Sequence, residues 1–121
     1  MATQNPDLLT IYNSLCTQQA ALYAEIQQTT DQPLATTIST EIQEIGHRII
    51  LVQNLIFTAD STQLTIMVAT VQTASKNLAQ AIAQIGQAAG FLNSVSTYLA
   101  DVDQAIDLAK TLAAAAAKVT V

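Results

Sequence analysis

The fold class is indicated by residues 64–113, which read LTIMVATVQTASKNLAQAIAQIGQAAGFLNSVSTYLADVDQAIDLAKTLA. Apolar residues recur here at alternating steps of three and four, or at multiples of these steps: Leu64, Val68, Val71, Leu78, Ile82, Ile85, Leu92, Val95, Leu99, Val102, Ile106 and Ala113. Such spacing places one apolar stripe along a helix, where it faces a partner helix. The pattern therefore predicts long amphipathic helices that pack together.

The composition of the whole chain agrees with an all-α fold. Half of the 121 residues are apolar but only 4% are aromatic, and the chain has 3 Gly and 2 Pro. An all-β fold would need many more turn-forming residues. A chain of this length has enough residues for one core and not for two. We predict a single helical-bundle domain that spans residues 1–121.

The first two helices have clear boundaries in the sequence. Asn5 is a favourable N-cap, Pro6 suits the first helical position, and Pro33 must end helix one before it. The apolar stripe of helix one is Leu8, Tyr12, Leu15, Leu22 and Ile26. The stripe of helix two is Ile38, Ile42, Ile45, Ile49, Val52 and Ile56. We expect helix two to end near Ala59 and a capping box at residues 60–63, with Asp60 as the N-cap of the next helix.

The stretch from about residue 62 to about residue 118 allows two interpretations. It could form one continuous helix, which would give three long helices. It could also break near Gly90, which would give an antiparallel up-down bundle of four helices. Four helices are favoured, because a helix twice as long as its partners would leave half of its stripe uncovered. Gly90 could end the third helix, and Asn93 or Ser94 could cap the fourth.

The charge content excludes several classes of partner. Charged residues make up 11% of the chain, against about 25% in an ordinary domain, and the net charge is -5. With so few cations, namely Arg48, Lys76, Lys110 and Lys118, we expect no binding to nucleic acid and no electrostatic anchoring to an anionic membrane. The N-terminal residues lack the features of a signal peptide. The cytoplasm is the expected location, with export by a signal-less route left open.

One pair of residues has the spacing of a metal site. Glu44 and His47 match the Glu-x-x-His motif of carboxylate-bridged di-iron bundles, which need this pair twice. The chain has one His, and the core stripe of helix two predicts that His47 points to solvent. We instead expect a surface ion pair between Glu44 and Arg48. No metal, cofactor or catalytic residue is predicted.

Two other features have explanations that imply no function. Asp101, Asp103 and Asp107 form the densest acidic cluster, and we expect a solvated polar face with Lys110 next along it. Cys16 is the only cysteine, so no intrachain disulfide can form. It flanks the stripe of helix one, and a buried, inert thiol is expected. We therefore predict that the chain is not an enzyme.

Apolar residues beyond the core stripes are the most specific functional signal. Ile50, Leu51, Leu55 and Phe57 lie off the stripe of helix two, and Ile66 lies off the stripe of helix three. A helix that is apolar on all sides is buried on more than one side. Neighbouring helices of the same chain could supply that burial. The alternative is an apolar surface at this end of helices two and three that binds a second copy or a protein partner.

Three classes of function remain compatible with the sequence. The first, which we favour, is a non-enzymatic interaction or assembly module that associates through these five residues. The second is a membrane- or surface-active bundle similar to coat proteins or helical pore formers, although basic anchoring residues are missing. The third is a carrier of a small ligand or metal in the bundle interior.

Overall fold

The structure, a computed structural model, describes residues 4–84 and 88–119, with side chains described for 4–84 and 91–115. Within these ranges the regular structure is α1 (Pro6–Gln28), α2 (Gln32–Leu55), α3 (Thr62–Ala83) and α4 (Ala88–Val119). The prediction of an all-α bundle of four helices is confirmed. The alternative of one continuous helix from about 62 to 118 is wrong.

The N-terminal caps of α1 and α2 are side-chain oxygens. The Asn5 Oδ1 atom accepts from the backbone N–H of Asp7 at 2.9 Å and of Leu8 at 3.1 Å. Asp31 accepts from the backbone N–H of Leu34 at 3.3 Å, and a proline occupies the first turn of each helix. Helix one therefore begins as predicted, because its first free N–H groups find a local acceptor.

The boundary between α2 and α3 differs from the prediction. Helix α2 ends at Leu55 and not near Ala59. The N-cap of α3 is Ser61 and not Asp60, and its Oγ accepts from the backbone N–H of Leu64 at 3.4 Å. Both residue types can cap a helix, and Ser61 has the extended backbone that an N-cap requires. The earlier end of α2 leaves enough chain to cross the end of the bundle.

The break between α3 and α4 comes earlier than Gly90. Helix α3 ends at Ala83, α4 begins at Ala88, and Gly90 lies inside α4. Asn93 and Ser94 are also interior to α4 and do not cap it. Phe91, one residue after Gly90, is already helical and is buried in the core. Residues 85–87, which include Gly86, lie outside the described residues.

Successive helices run in opposite directions, but the neighbours are not all successive. Helix α1 packs against α2 and α3, and α4 packs against the same two helices. The Asp7 carboxylate of α1 accepts from the Thr65 hydroxyl of α3 at 2.7 Å, so the two helices begin at the same end. The bundle therefore has two parallel neighbouring pairs, α1/α3 and α2/α4, while α2 and α3 lie diagonally opposite each other.

Residues 56–61 cross one end of the bundle to join α2 to α3, and we call this the crossover end. Asn5 fastens the crossing at three points. Its backbone N–H donates to Ile56 O at 2.6 Å, and its Nδ2 donates to Thr58 O at 2.8 Å and to Ala59 O at 3.2 Å. Asn5 thus caps α1 with its oxygen and holds the connection with its two nitrogens, which accounts for its burial.

The stripes of all four helices meet in one core, but Leu92 of the predicted stripe is 41% exposed and does not belong to it. Ile85, another residue of the predicted stripe, lies outside the described residues. Helix α1 turns Ile11 and Gln18 inward beside Leu8, Leu15 and Leu22, and leaves Tyr12 and Ile26 half-buried. Helix α2 buries the predicted residues except Ile49 and Ile56, which are half-buried. Tyr98 and Phe91 of α4 are the largest fully buried side chains. Neither belongs to the apolar stripe predicted for residues 64–113.

Candidate functional site

The five residues of the predicted association surface divide into two groups. Ile50, Phe57 and Ile66 are exposed over 58%, 59% and 63% of their surface. Leu51 and Leu55 are half-buried and pack against the core of their own chain. The apolar excess of helix two is therefore partly covered within the chain. The exposed group remains available to another molecule.

The three exposed residues surround the crossover end and do not form one lateral patch. Ile50 is on α2 and Ile66 is on α3, which are diagonally opposite, while Phe57 lies in the connection between them. Both helical residues are within about 8 Å of the crossover end, at a rise of about 1.5 Å per residue. We call Ile50, Phe57 and Ile66 the crossover-end residues. They therefore share one end of the bundle and not one side of it.

A groove runs between α2 and α4 and has a volume of about 690 Å³. We call it the α2/α4 groove. These two helices pack least closely of the four neighbouring pairs. Its walls carry Glu41 and Glu44 of α2 and Leu92, Ser96 and Ala100 of α4. Three other open spaces beside described residues are smaller, with volumes of about 370, 380 and 170 Å³.

Arg48 joins the two walls of the groove. Its Nε donates to Asp103 Oδ1 at 2.8 Å and its Nη2 donates to Asp103 Oδ2 at 2.9 Å. Its Nη1 donates to Glu44 Oε2 at 3.1 Å, which confirms the predicted pair between Glu44 and Arg48. Burial alone would lower the pKa of Arg48, but the hydrogen bonds to Asp103 and Glu44 raise it overall. Arg48 therefore links α2 to α4 by an ion pair.

The acidic cluster of α4 is not a uniformly solvated face. Asp103 is half-buried in the bidentate contact with Arg48, whereas Asp107 and Lys110 are exposed. The expectation that these residues form a purely solvated polar face is therefore wrong for Asp103. The sequence does not reveal this ion pair, because it depends on α2 and α4 being neighbours.

The groove carries more negative than positive charge. Glu41, Glu44 and Asp103 line it together with the single cation Arg48. The pKa of Glu41 is raised by burial and by the nearby Glu44 carboxylate, with Arg48 opposing the shift. The lining thus holds three carboxyl groups and one guanidinium. Its chemistry suits a ligand with a cationic group and an apolar or small-residue surface.

The α1/α3 side carries uncharged polar groups in the interior. Ser14 Oγ lies 2.8 Å from the Tyr98 hydroxyl and donates to Ser75 Oγ at 3.0 Å. Gln18 Nε2 donates to Ser75 Oγ at 2.8 Å and to Ser75 O at 3.3 Å. The Gln18 Oε1 atom is buried without a hydrogen-bond partner. Four side chains from α1, α3 and α4 thus form one polar network, in which Gln18 and Tyr98 are buried and Ser14 and Ser75 are half-buried.

The network has the properties of a structural element. Burial raises the pKa of Tyr98 to about 12, although the hydrogen bond with Ser14 opposes the shift. A tyrosine with that pKa remains protonated near neutral pH and cannot serve as a base there. Its hydroxyl is fully buried, so a substrate has no direct access to it. We assign the network to packing specificity between helices.

The remaining candidates for chemistry are dispersed. His47 is exposed, as the stripe of α2 predicts, and Cys16 is half-buried and free. Over residues 4–84 and 88–119, no group of three or more His, Cys, Asp or Glu side chains is placed to hold a metal ion. In the same part of the chain, no helix is both long enough and apolar enough to cross a bilayer.

Comparisons with known proteins add no functional assignment. No known protein family, curated protein or solved structure matches this chain. The candidate surfaces are therefore the crossover-end residues and the α2/α4 groove, on the strength of their geometry alone.

Proposed function

We propose that this chain is a non-enzymatic helical assembly module that associates with copies of itself through its crossover end. The observation that carries the proposal is the exposure of Ile50, Phe57 and Ile66, each more than half accessible in the isolated chain. Single exposed apolar residues are ordinary on protein surfaces. Three around one end of a small bundle are a basis for association.

The low charge of the chain supports self-association over repulsion. Only 11% of residues are charged, so few like charges oppose the approach of a second copy. The outer faces carry many uncharged polar side chains that can form hydrogen bonds across an interface. The cytoplasm remains the proposed location of the assembly.

The free energy of burying these three side chains indicates how strong the association would be. Fully burying one large apolar side chain contributes about 1.5–3 kcal/mol, and these side chains are already partly covered. Association must also offset about 4 kcal/mol or more of lost translational and rotational freedom. The crossover-end residues alone would therefore give weak association. Further contacts between copies are needed for a stable assembly.

Light scattering coupled to size-exclusion chromatography tests the proposal. We expect the mass of the full chain to rise above that of the monomer as the protein concentration increases. Phe57→Glu and Ile66→Glu should each shift the protein toward the monomer, because a buried carboxylate without a partner opposes association. Circular dichroism should show unchanged helicity, since both side chains are exposed in the monomer.

Tyr23→Glu is the matched control. Tyr23 is 50% exposed and lies near the end of α1 that is opposite to the crossover end. The same apolar-to-acidic change at this position should leave the assembly intact. A chain that stays monomeric at every concentration would overturn the proposal, as would equal effects of all three substitutions.

A further inference from the structure

Helix α4 extends past its neighbours at the crossover end. It has 32 residues and α3 has 22, a difference of about 15 Å at about 1.5 Å per residue. Helix α4 runs antiparallel to α3, which begins at the crossover end, so the extra turns of α4 lie at that end. Ala109 is the last fully buried residue of α4 among the described side chains. We call residues 110–119 the α4 tail.

The α4 tail differs in charge from the rest of the chain. Its sequence is KTLAAAAAKV, which contains two lysines and no acidic residue. The whole chain carries a net charge of -5 and has only 4 cationic residues. The Lys110 side chain is exposed. The five consecutive alanines make a slim helix with a small-residue surface, which can approach another helix closely.

The α2/α4 groove is complementary to this tail in charge and in shape. Three carboxylates and one guanidinium line it, and Leu92 presents a partly exposed apolar surface at its rim. Ala100 on the α4 wall leaves room for a close approach. A helix with alanines at 113–115 can cover Leu92 while the exposed Lys110 ammonium lies near Glu41.

The tail cannot enter the groove of its own chain. The groove is formed by residues 92–103 of the same continuous helix α4 that carries the tail. A straight helix cannot fold back onto its own earlier turns. The tail therefore fits only the groove of another molecule, and a second copy of this chain is the occupant that the charges favour.

We propose that the α4 tail of one copy docks into the α2/α4 groove of a second copy. This inference rests on the proposed self-association and identifies its main contact. The two surfaces are different, so the contact is head-to-tail and its repetition gives rings or open chains. Docking of the tail also brings the crossover-end residues of one copy against the body of the next.

Reciprocal charge reversal tests the contact. Lys110→Glu should weaken self-association roughly tenfold, and Glu41→Lys should do the same, because each places like charges together. When the two variants are mixed, the acidic tail meets the basic groove and association should recover. The matched control is Lys76→Glu, which changes the net charge equally at an exposed position outside both surfaces and should leave association unchanged.

A disulfide trap gives a second readout on folded protein. In a Cys16→Ser background, Ser96→Cys places a thiol in the groove and Thr111→Cys places one in the tail. Oxidation of a mixture of the two variants should give a crosslinked heterodimer as the main product. A mixture of Thr111→Cys with Thr37→Cys, a position near the start of α2 and outside the groove, should give markedly less.

The outcomes separate this inference from the proposed function. If the chain assembles, and Phe57→Glu disrupts the assembly while Lys110→Glu and Glu41→Lys do not, the tail contact is overturned and crossover-end association stands. If the chain is monomeric at every concentration and no crosslink forms, both are overturned. Rescue in the mixed charge variants together with the heterodimer supports the tail contact.

Discussion

The two parallel helix pairs differ in how their polar residues meet. Between α1 and α3, Ser14, Gln18 and Ser75 join Tyr98 in a buried network of uncharged groups. Between α2 and α4, Arg48 and Asp103 form a charged contact at the groove. The open space beside α1/α3 is about 380 Å³, and the space beside α2/α4 is about 690 Å³.

The difference teaches how side-chain type sets the spacing of helices. Serine is short and its hydroxyl can be satisfied inside the protein, so two helices that meet through serines come close. Arginine is long, so Arg48 can reach Asp103 across a wider gap, where the Asp103 side chain keeps 47% of its surface exposed. The closed pair brings polar side chains together in the interior, and the open pair leaves a groove between its helices.

The largest expected effect is at Tyr98 of α4, whose hydroxyl joins the network of the closed pair. Tyr98→Ala should lower the free energy of unfolding by about 3–5 kcal/mol, because it removes a fully buried aromatic ring and leaves a cavity. Urea denaturation followed by circular dichroism measures the change. Tyr23→Ala, at a half-exposed ring, should cost only about 0.5 kcal/mol. Similar losses in the two variants would contradict the assignment of Tyr98 to the core.

The second effect is a loss of stability in alkali. The folded-state pKa of Tyr98 is about 12, above the usual tyrosine value of 10.0, so the folded chain binds this proton more tightly than the unfolded chain. Stability from this group is therefore complete below pH 10, falls as pH rises from 10 to 12, and levels off above that. Between pH 10 and 12 the free energy of unfolding falls by up to about 1.4 kcal/mol per pH unit.

Tyr98→Phe isolates that contribution. Urea denaturation at pH 9 and pH 11 should show a smaller loss of stability in the variant than in the native chain, by about 1 kcal/mol. Contributions that the two proteins share cancel in the difference. Identical losses would show that the Tyr98 hydroxyl is not held in a buried network.

A smaller effect is expected at the open pair. Arg48→Met should cost about 1 kcal/mol, because Asp103 is 47% exposed and recovers hydration when its partner is removed. Added salt should reduce the difference in the free energy of unfolding between the variant and the native protein, since screening weakens the ion pair. Denaturant titrations at low and high salt measure both effects. A loss of unfolding free energy as large as that of Tyr98→Ala would mean that the Arg48–Asp103 ion pair stabilises the fold as much as the Tyr98 side chain does.

The smallest effect is expected at Gln18. Gln18→Met keeps the volume of the side chain and removes the buried Oε1 atom that has no partner. It also removes two hydrogen bonds to Ser75. The stability gained by removing the unpaired Oε1 atom and the stability lost with these hydrogen bonds should cancel to within about 1 kcal/mol. Ser75 keeps its bond from Ser14. A loss of several kcal/mol in thermal or urea unfolding would instead show that the Gln18 amide anchors α1 to α3.

Local physics explains which predictions from the sequence succeeded. The Asn5 cap, the fully buried positions of α2 and the exposure of His47 depend on neighbours within one or two turns, which the sequence supplies directly. The ion pair between Glu44 and Arg48 is of the same kind, since its members are four residues apart. The break assigned to Gly90 was misplaced because glycine permits a helix end but does not require one.

The linear sequence determined that this chain forms amphipathic helices, where α1 begins, and that apolar side chains exceed the core stripe of α2. Periodicity and capping act over a few residues, so no knowledge of the fold is needed to see them. Only the tertiary structure decided that α2 and α3 lie diagonally opposite each other and that Arg48 contacts Asp103. It also decided which off-stripe apolar residues are covered: Leu51 and Leu55 are half-buried, whereas Ile50, Phe57 and Ile66 are exposed. These features depend on which helices become neighbours, and the helices of this chain can be arranged in more than one way without changing a single stripe.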